Sequence, residues 1–337
     1  MTSISSYALT TAPRLSVAQA QAALSTAQVE LSSGRLADIG LGLGSATGSY
    51  ISLNTQQSRL QAITASNSTT ATTLTTANSV LDALRTTATS FLASLTQSSG
   101  AGSVPGTLVN TATANLNSLI SSLNTTVGGA SLFGGIKSGE VPISADKASA
   151  TQNQVTVSNA FSGTDTSAIS KDAMQSYLGG AFAGVFEGSS WSSASDTLPT
   201  AQISSTASDT VQTSVSANND AFRQLAQAYT MVQNFSGSGF SSDANQAVIT
   251  AATQLVTSAI AGLTSAQASI GLSQTAVSNA NDRMSSQIDY LSTQSTNMVS
   301  VDPSLLSTQI SGLQTQIQAS YEITSQLQQL SLVNYLK

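Results

Sequence analysis

The stretch Leu74–Leu95, which reads LTTANSVLDALRTTATSFLASL, decides the fold of this chain. Its apolar side chains recur at alternating spacings of three and four residues, at Leu74, Ala77, Leu81, Leu84, Ala88, Phe91 and Leu95. Because a heptad repeat places these side chains on one face of an α-helix, the stretch predicts a helix about 33 Å long with a narrow apolar seam. Such a seam needs a partner, and we expect it to face a long helix predicted over residues 243–298.

The two ends of the chain carry the same pattern. The first seam is Val17, Ala20, Leu24, Ala27 and Leu31, and Gly34 follows it as a helix stop. Asp302-Pro303 starts the last helix, because proline fits the first helical position. The seam of this helix is Leu306, Ile310, Leu313, Ile317, Ser320, Thr324 and Leu327. We expect the terminal stripes to meet other copies of the chain through Val17, Leu24, Leu31, Leu306, Ile310, Leu313, Ile317, Tyr321, Leu327 and Leu330.

The length of the terminal helices suggests that their order depends on assembly. Isolated helices of this size are marginal in water, and Ser and Thr lower their propensity further. We therefore expect the free monomer to be folded from about residue 50 to residue 300, with both ends ordered only in the assembly.

Breakers and caps divide the rest of the chain. Residues 38–49 contain four glycines and predict a connector, with a second helix starting near Ile51. A break at 98–106 precedes a helix over 108–123. Short alternating runs at 154–161 and 198–215 predict strands, and 167–186 predicts a helix. Helix starts are indicated by Asn218-Asn219-Asp220 and by Asp243, which is a candidate N-cap.

These elements predict a mainly α protein with a small α+β insertion, in which long terminal helices form a coiled-coil bundle. Five segments follow, namely 1–48 (N-terminal helix and connector), 49–127 (N-terminal half of the helical core), 128–216 (hairpin and mixed insertion), 217–301 (C-terminal half of the core) and 302–337 (C-terminal helix). We expect residues near 160–200 to tolerate change, so that Ser162–Ser195 could be deleted with partial retention of function.

Composition excludes several classes of function. The 337 residues include no Cys and no His, which removes disulfides, thiolate nucleophiles, Ser-His-Asp triads and the usual zinc sites. Only 8% of residues are charged, the net charge is −6 and the basic residues are scattered, so we expect neither nucleic acid nor a membrane surface as a partner. The longest apolar run falls well short of a membrane span, and no cleavable secretion signal is visible at the N-terminus.

Uncharged polar residues take the place of the missing charges. Ser and Thr together number 103, so the helical faces carry hydroxyls and amides where surface helices usually carry Glu and Lys. Such faces can pack against neighbouring subunits without burying an unpaired charge. Dense assembly is favoured over the alternative, a low-charge surface adapted to an unusual medium.

No motif predicts a catalytic, cofactor or metal site. The glycines at 40–48 miss the dinucleotide spacing by one position, and Lys137 lies in a loop without phosphate-binding spacing, which favours a turn leading into a hairpin. Trp191 is predicted to fill a small core, with a carbohydrate platform as the alternative. Asp165, Asp172, Glu187 and Asp196 show no calcium pattern, and a carboxylate pair for glycoside hydrolysis has no positive support.

Several segments resemble a known family. The C-terminal residues 319–336, ASYEITSQLQQLSLVNYL, resemble the tail of flagellar hook–filament junction proteins of the hook-associated protein 3 type. Residues 31–35 (LSSGR), 131–137 (SLFGGIK) and 218–225 (NNDAFRQL) resemble further elements of the bacterial flagellin superfamily. Residues 36–44 lack the element that many filament flagellins carry at that place, which favours the junction branch.

The resemblance implies a structural role without enzymatic activity. It implies export through the flagellar type III apparatus with the help of an export chaperone, and assembly outside the cell as a ring between hook and filament. Its partners would be further copies of the chain, flagellin and the hook-side junction protein. The alternatives are a filament flagellin proper and, from another class, an extracellular carboxylate-based hydrolase.

Overall fold

A computed structural model of the chain describes residues 6–99, 104–145, 148, 151, 160–236 and 239–335. Backbone contacts divide the chain into two compact units. The terminal unit comprises Met1–Gln61 and Ser285–Lys337, and the central unit comprises Ala62–Met284. Of the strand predicted over 154–161, residues 154–159 lie outside the described residues, and the described Ala160 and Phe161 are not in a strand.

The described part of the terminal unit consists of helices joined by short turns. Its elements are α1 (Ser6–Ser33), α2 (Ile39–Leu43), the start of α3 (Thr47–Ser98), the end of α8 (Ser242–Val299) and α9 (Pro303–Tyr335). The predicted helix ends are confirmed. Gly34 has φ +67°, the left-handed conformation that favours glycine after a helix. Asp302 accepts a hydrogen bond from the Ser304 backbone N–H at 2.8 Å, and Pro303 opens α9.

The predicted glycine-rich connector is wrong. Residues 39–43 form the short helix α2, residues 44–46 form a 3₁₀ turn, and α3 starts at Thr47, earlier than expected. The Asp38 side chain caps α2 by accepting from Leu41 N–H at 2.9 Å. A Cβ at Gly42 would come within 2.7 Å of Leu36 Cδ1, so glycine lets Leu36 pack on the helix. The cap and this contact offset the entropic cost of fixing glycine backbone in a helix, which is the reason that the sequence predicted a connector here.

The central unit is built on the rest of α3 and α8, with α4 (Gly106–Leu123) and α7 (Asp220–Phe235). The predicted seam is confirmed as core: all seven residues from Leu74 to Leu95 are at most 4% exposed. Side-chain hydrogen bonds join α3 to α8 at Asn67–Asn281 (2.8 Å) and Thr75–Gln274 (3.4 Å), in antiparallel register. Helix α7 also packs against this seam, a contact that the sequence did not predict. Phe91 of α3 lies edge-on against Tyr229 of α7, with ring centroids 5.0 Å apart.

Short elements fill the middle of the chain. Strands β1 (Thr126–Val127) and β2 (Ala130–Ser131) pair antiparallel, as do β3 (Thr200–Gln202) and β4 (Thr210–Gln212). Helix α5 (Lys171–Tyr177) continues into a π-helical turn (Leu178–Phe182), and α6 covers Gly188–Trp191. The strands predicted within 198–215 and the helix predicted within 167–186 are both confirmed.

An aromatic cluster holds this middle segment together. Phe182 and Phe186 are fully buried, and Phe182 packs edge-on against Phe235 of α7 at 5.8 Å. Trp191 is 2% exposed and donates its indole N–H to the Ala217 carbonyl at 3.1 Å, so it is a core residue as predicted and not a carbohydrate platform. Deleting Ser162–Ser195 would expose Phe235, which speaks against the expected tolerance of this segment.

Helix α8 is apolar as well as long. An 18-residue window in it reaches a mean hydropathy of 1.5, and α8 is the one helix of the described residues that could cross a membrane by length and composition. This mean over a window does not test the expectation stated above, which concerns uninterrupted apolar runs. Core helices pass the same test, and α8 buries a row of small and aliphatic side chains at Ala244, Ala247, Val248, Ala252, Val256, Ala259 and Leu263.

Candidate assembly interface

The terminal helices α1 and α9 pack against each other as an antiparallel pair. Ala20, Ala27 and Leu306 are buried at 3–6% exposure, and Gln21 donates a hydrogen bond to the Tyr321 hydroxyl at 2.9 Å. At one end of the pair, backbone hydrogen bonds tie the segment after α1 to the junction of α8 and α9, from Leu36 N–H to the Val299 carbonyl (2.9 Å) and from Val301 N–H to the Gly34 carbonyl (3.2 Å). The two stripes predicted from the heptads therefore meet within one chain.

The predicted interface residues occupy three kinds of position. Leu306 is buried, and Leu31 and Tyr321 are exposed. Five are half-buried along the α1–α9 contact, namely Val17, Leu24, Ile310, Leu313 and Ile317. Leu327 and Leu330 lie on α9, but their side chains are outside the described part.

Another set of apolar side chains on these helices is solvent-exposed. Leu15 and Val29 on α1, and Leu305 and Ile323 on α9, are each at least half exposed, and Leu305 reaches 70%. Heptad analysis missed all four because they lie off the stripe. A scan for large apolar residues at non-seam positions of a charge-poor helix would have found them. Leu41 of α2 and Ile51 of α3 add to the exposed apolar surface of the terminal unit.

Charged groups are few in this unit, and most of its carboxylates are engaged locally. Glu30 accepts from Ala37 N–H at 3.0 Å, while Asp38 and Asp302 cap helices. In the central unit, hydrogen bonds from the Arg85 side chain and then from Gln267 lower the pKa of the exposed Asp82 carboxyl. Burial raises the pKa of the Tyr229 phenol, which stays neutral in the core.

The central unit has grooves whose described linings carry no pair of carboxylates. Two open grooves of about 520 and 500 Å³ flank α7. Among the described residues, Asp220 is the sole carboxylate lining either of them, whereas glycoside hydrolysis uses two. The described part of the chain also contains no group of three acidic, His or Cys residues placed to hold a metal. Lys137 is exposed in a loop that follows the β1–β2 hairpin instead of leading into it.

Comparison with known families accounts for both ends of the chain. Residues 4–138 match the family model described as the bacterial flagellin N-terminal helical region. Residues 253–336 match the bacterial flagellin C-terminal helical region. No curated protein matches the chain. The two matches cover the paired terminal helices and the β1–β2 hairpin, and the β3–β4 hairpin lies between them. The chain therefore belongs to the bacterial flagellin superfamily and is a structural subunit of the flagellum.

Proposed function

We propose that the chain is the junction subunit between hook and filament, assembling as a ring through its terminal helices. The observation that carries this proposal is the exposed apolar surface on α1 and α9. These helices already pack against each other, yet Leu15, Val29, Leu305 and Ile323 remain in solvent. Burying such side chains in contacts between subunits gains about 1.5–3 kcal/mol each.

The charge-poor surface supports close packing of subunits. Few charges would have to be desolvated when helices of neighbouring copies meet, so the apolar gain is not offset by a large penalty. The predicted interface residues from Val17 to Leu330 and the five-segment organisation belong to this proposal. The resemblance of residues 319–336 to junction-protein tails favours the junction over the filament.

The same proposal includes the route and the partners. The chain would leave the cell through the flagellar type III apparatus, without a cleaved signal and with an export chaperone. Outside the cell it would bind flagellin on one side and the hook-side junction protein on the other. It would be secreted, non-enzymatic and homo-oligomeric.

Deletion of the gene and complementation test the proposal. A strain without a junction protein makes hooks and releases monomeric flagellin into the medium, and the wild-type gene restores filaments in electron micrographs. Leu305→Ser should abolish this restoration, because it places a hydroxyl in the subunit contact. The matched control is Leu272→Ser, which changes a leucine of α8 that is 74% exposed in the central unit. Equal restoration by both variants would contradict the proposed interface.

A filament flagellin proper is the second candidate, because the matches to the flagellin N- and C-terminal helical regions are compatible with either function. The deletion strain separates the two functions. If the chain forms the filament, the mutant secretes no other filament subunit and its hooks are bare because the polymer itself is missing. If it forms the junction, filament subunits accumulate in the medium as monomers.

A further inference from the structure

An open groove lies in the central unit, beside the β3–β4 hairpin and the start of α7. It has a volume of about 520 Å³, and its lining includes Gln212 at the end of β4, Ser214 just after it, Gln224 of α7, and Ser258 and Ser265 of α8. Within the described part of the chain, the side chains of these five residues make no hydrogen bond. Unused amides and hydroxyls from three elements therefore converge on one groove.

Ser214 is the least satisfied of these residues. It is 4% exposed, and its buried hydroxyl oxygen has no hydrogen-bond partner in the described part of the chain. Its backbone N–H and C=O groups also lack a partner among the described residues. Buried polar groups in native proteins are nearly always paired. Three unpaired groups at one buried residue therefore indicate a partner from outside the described chain.

The register of the hairpin gives the direction of these backbone groups. Thr213 N–H donates to the Pro199 carbonyl at 3.1 Å, which makes this residue pair a hydrogen-bonded one. Because hydrogen-bonded and non-hydrogen-bonded pairs alternate along an antiparallel ladder, the N–H and C=O groups of Gln212 and Ser214 point away from β3. Among the described strands, β4 pairs with β3 alone, so this side of β4 is a free strand edge.

The described lining of the groove holds no unpaired charge. Its one charged residue is Asp220, whose carboxylate forms an ion pair with Arg223 of the same helix. Small residues bring the two helices together here, because a Cβ at Gly262 of α8 would come within 2.9 Å of the Ala221 Cβ of α7. A charged ligand would find no free countercharge, so the groove favours an uncharged one.

We propose that this groove binds an uncharged, extended peptide segment of a partner protein, which adds as a strand beside β4. An extended peptide repeats its N–H and C=O groups every second residue, so it can pair with Gln212 and Ser214 together. A saccharide offers hydroxyls but not this spacing, which is why the peptide is favoured. The site lies in the central unit and is independent of the assembly proposed for the terminal helices.

Retention of synthetic peptides by the immobilised full-length chain tests this proposal. The probe is a pool of capped seven-residue peptides randomised over Ser, Thr, Asn, Gln and Val, quantified by mass spectrometry. Ser265→Trp should abolish retention, because it places a large side chain in the groove from an exposed position. Ser278→Trp, at an exposed position of α8 outside the groove lining, is the matched control and should retain the pool as the wild type does.

Two further measurements separate a strand contact from other effects. Ser214→Ala should weaken retention about fivefold through the loss of one hydrogen bond, with no fall in the circular-dichroism thermal midpoint. A pool with every backbone nitrogen methylated keeps its side chains but cannot donate along the strand edge, so it should not be retained.

The proposal is overturned if the wild type retains no peptide, or if Ser265→Trp or Ser214→Ala retains the pool as well as the wild type. Equal retention of the methylated pool would exclude strand addition. Binding of maltoheptaose in place of the peptides would assign the groove to saccharides and overturn the peptide site. The assay needs no filament, so its outcome is separate from that of the complementation experiment.

Discussion

Replacing Phe91 by Ala tests whether the α3 seam is the structural core. Phe91 is 1% exposed in the central unit, and its ring stacks edge-on against Tyr229, which is also 1% exposed. Removing a buried phenylalanine ring costs about 3–5 kcal/mol, from lost transfer energy plus the cavity left behind. Loss of the aromatic pair, worth about 0.5–1.5 kcal/mol in its own right, places the expected cost at the upper end of that range.

The assay is thermal and urea unfolding of the purified chain, followed by the helical circular-dichroism signal. For a cooperative unit of this size, a loss of about 3–5 kcal/mol lowers the thermal midpoint by roughly 6–20 °C. Leu272→Ala is the matched control, since that side chain is 74% exposed on α8 and its removal should change stability by less than about 0.5 kcal/mol. A midpoint for Phe91→Ala within a degree or two of wild type would refute the assignment of the seam to the core.

Further predictions concern a buried amide, the two terminal helices and an exposed ion pair. Asn67 is fully buried and donates hydrogen bonds to the Ile203 carbonyl and to the Asn281 side chain, so Asn67→Ala should lower the free energy of unfolding in urea by about 1–3 kcal/mol. If the losses in Asn67→Ala and Asn281→Ala simply add in the double variant, the hydrogen bond between them contributes nothing to stability. Removing residues 303–337 should leave a soluble helical monomer that no longer supports filaments. Limited proteolysis of the dilute full-length monomer should trim both ends, to near residues 50 and 300. Ends that resist the protease would contradict the expectation that the terminal helices become ordered only on assembly. The hydrogen bond from Arg85 lowers the pKa of the Asp82 carboxyl in the folded state, so the ionised carboxylate stabilises the fold above the ordinary carboxyl pKa. This stabilisation is lost as the pH falls below about 4. The thermal midpoint of Asp82→Asn should therefore fall less on acidification than that of the wild type.

Heptad spacing predicted the long helices because their cores follow a strict repeat. Leu74 to Leu95 are buried at every seam position, and Gly34 and Pro303 end and start helices where breaker chemistry places them. Asn219 caps α7 as expected, since its side chain accepts from Ala221 N–H at 3.0 Å. Local rules sufficed at these positions because tertiary contacts agree with them.

Prediction failed where tertiary contacts decided between local options. Residues 38–49 contain enough glycine to argue against helix, but the Asp38 cap and the packing of Leu36 over Gly42 favour it. The start of α8 differs in a similar way. Asp243 was the expected cap, yet Ser241 accepts from Ala244 N–H at 3.0 Å, so Asp243 lies inside the first turn. Two adequate capping residues lay two positions apart, and sequence alone does not rank them.

The assembly interface was the hardest part to predict, for a physical reason. A heptad stripe shows that a helix face is covered but not whether the partner is the same chain or another copy. Here α1 and α9 cover much of each other's stripe, so Val17, Leu24, Ile310 and Leu313 are already half-buried before any second copy arrives. The surface left for another subunit is carried by residues without periodicity, such as Leu305 beside the buried Leu306. The two adjacent leucines therefore differ: Leu306 is buried within its own chain, whereas Leu305 stays exposed and, in the assembly proposed above, is available to the next copy. Only the three-dimensional pairing of the two ends distinguishes them.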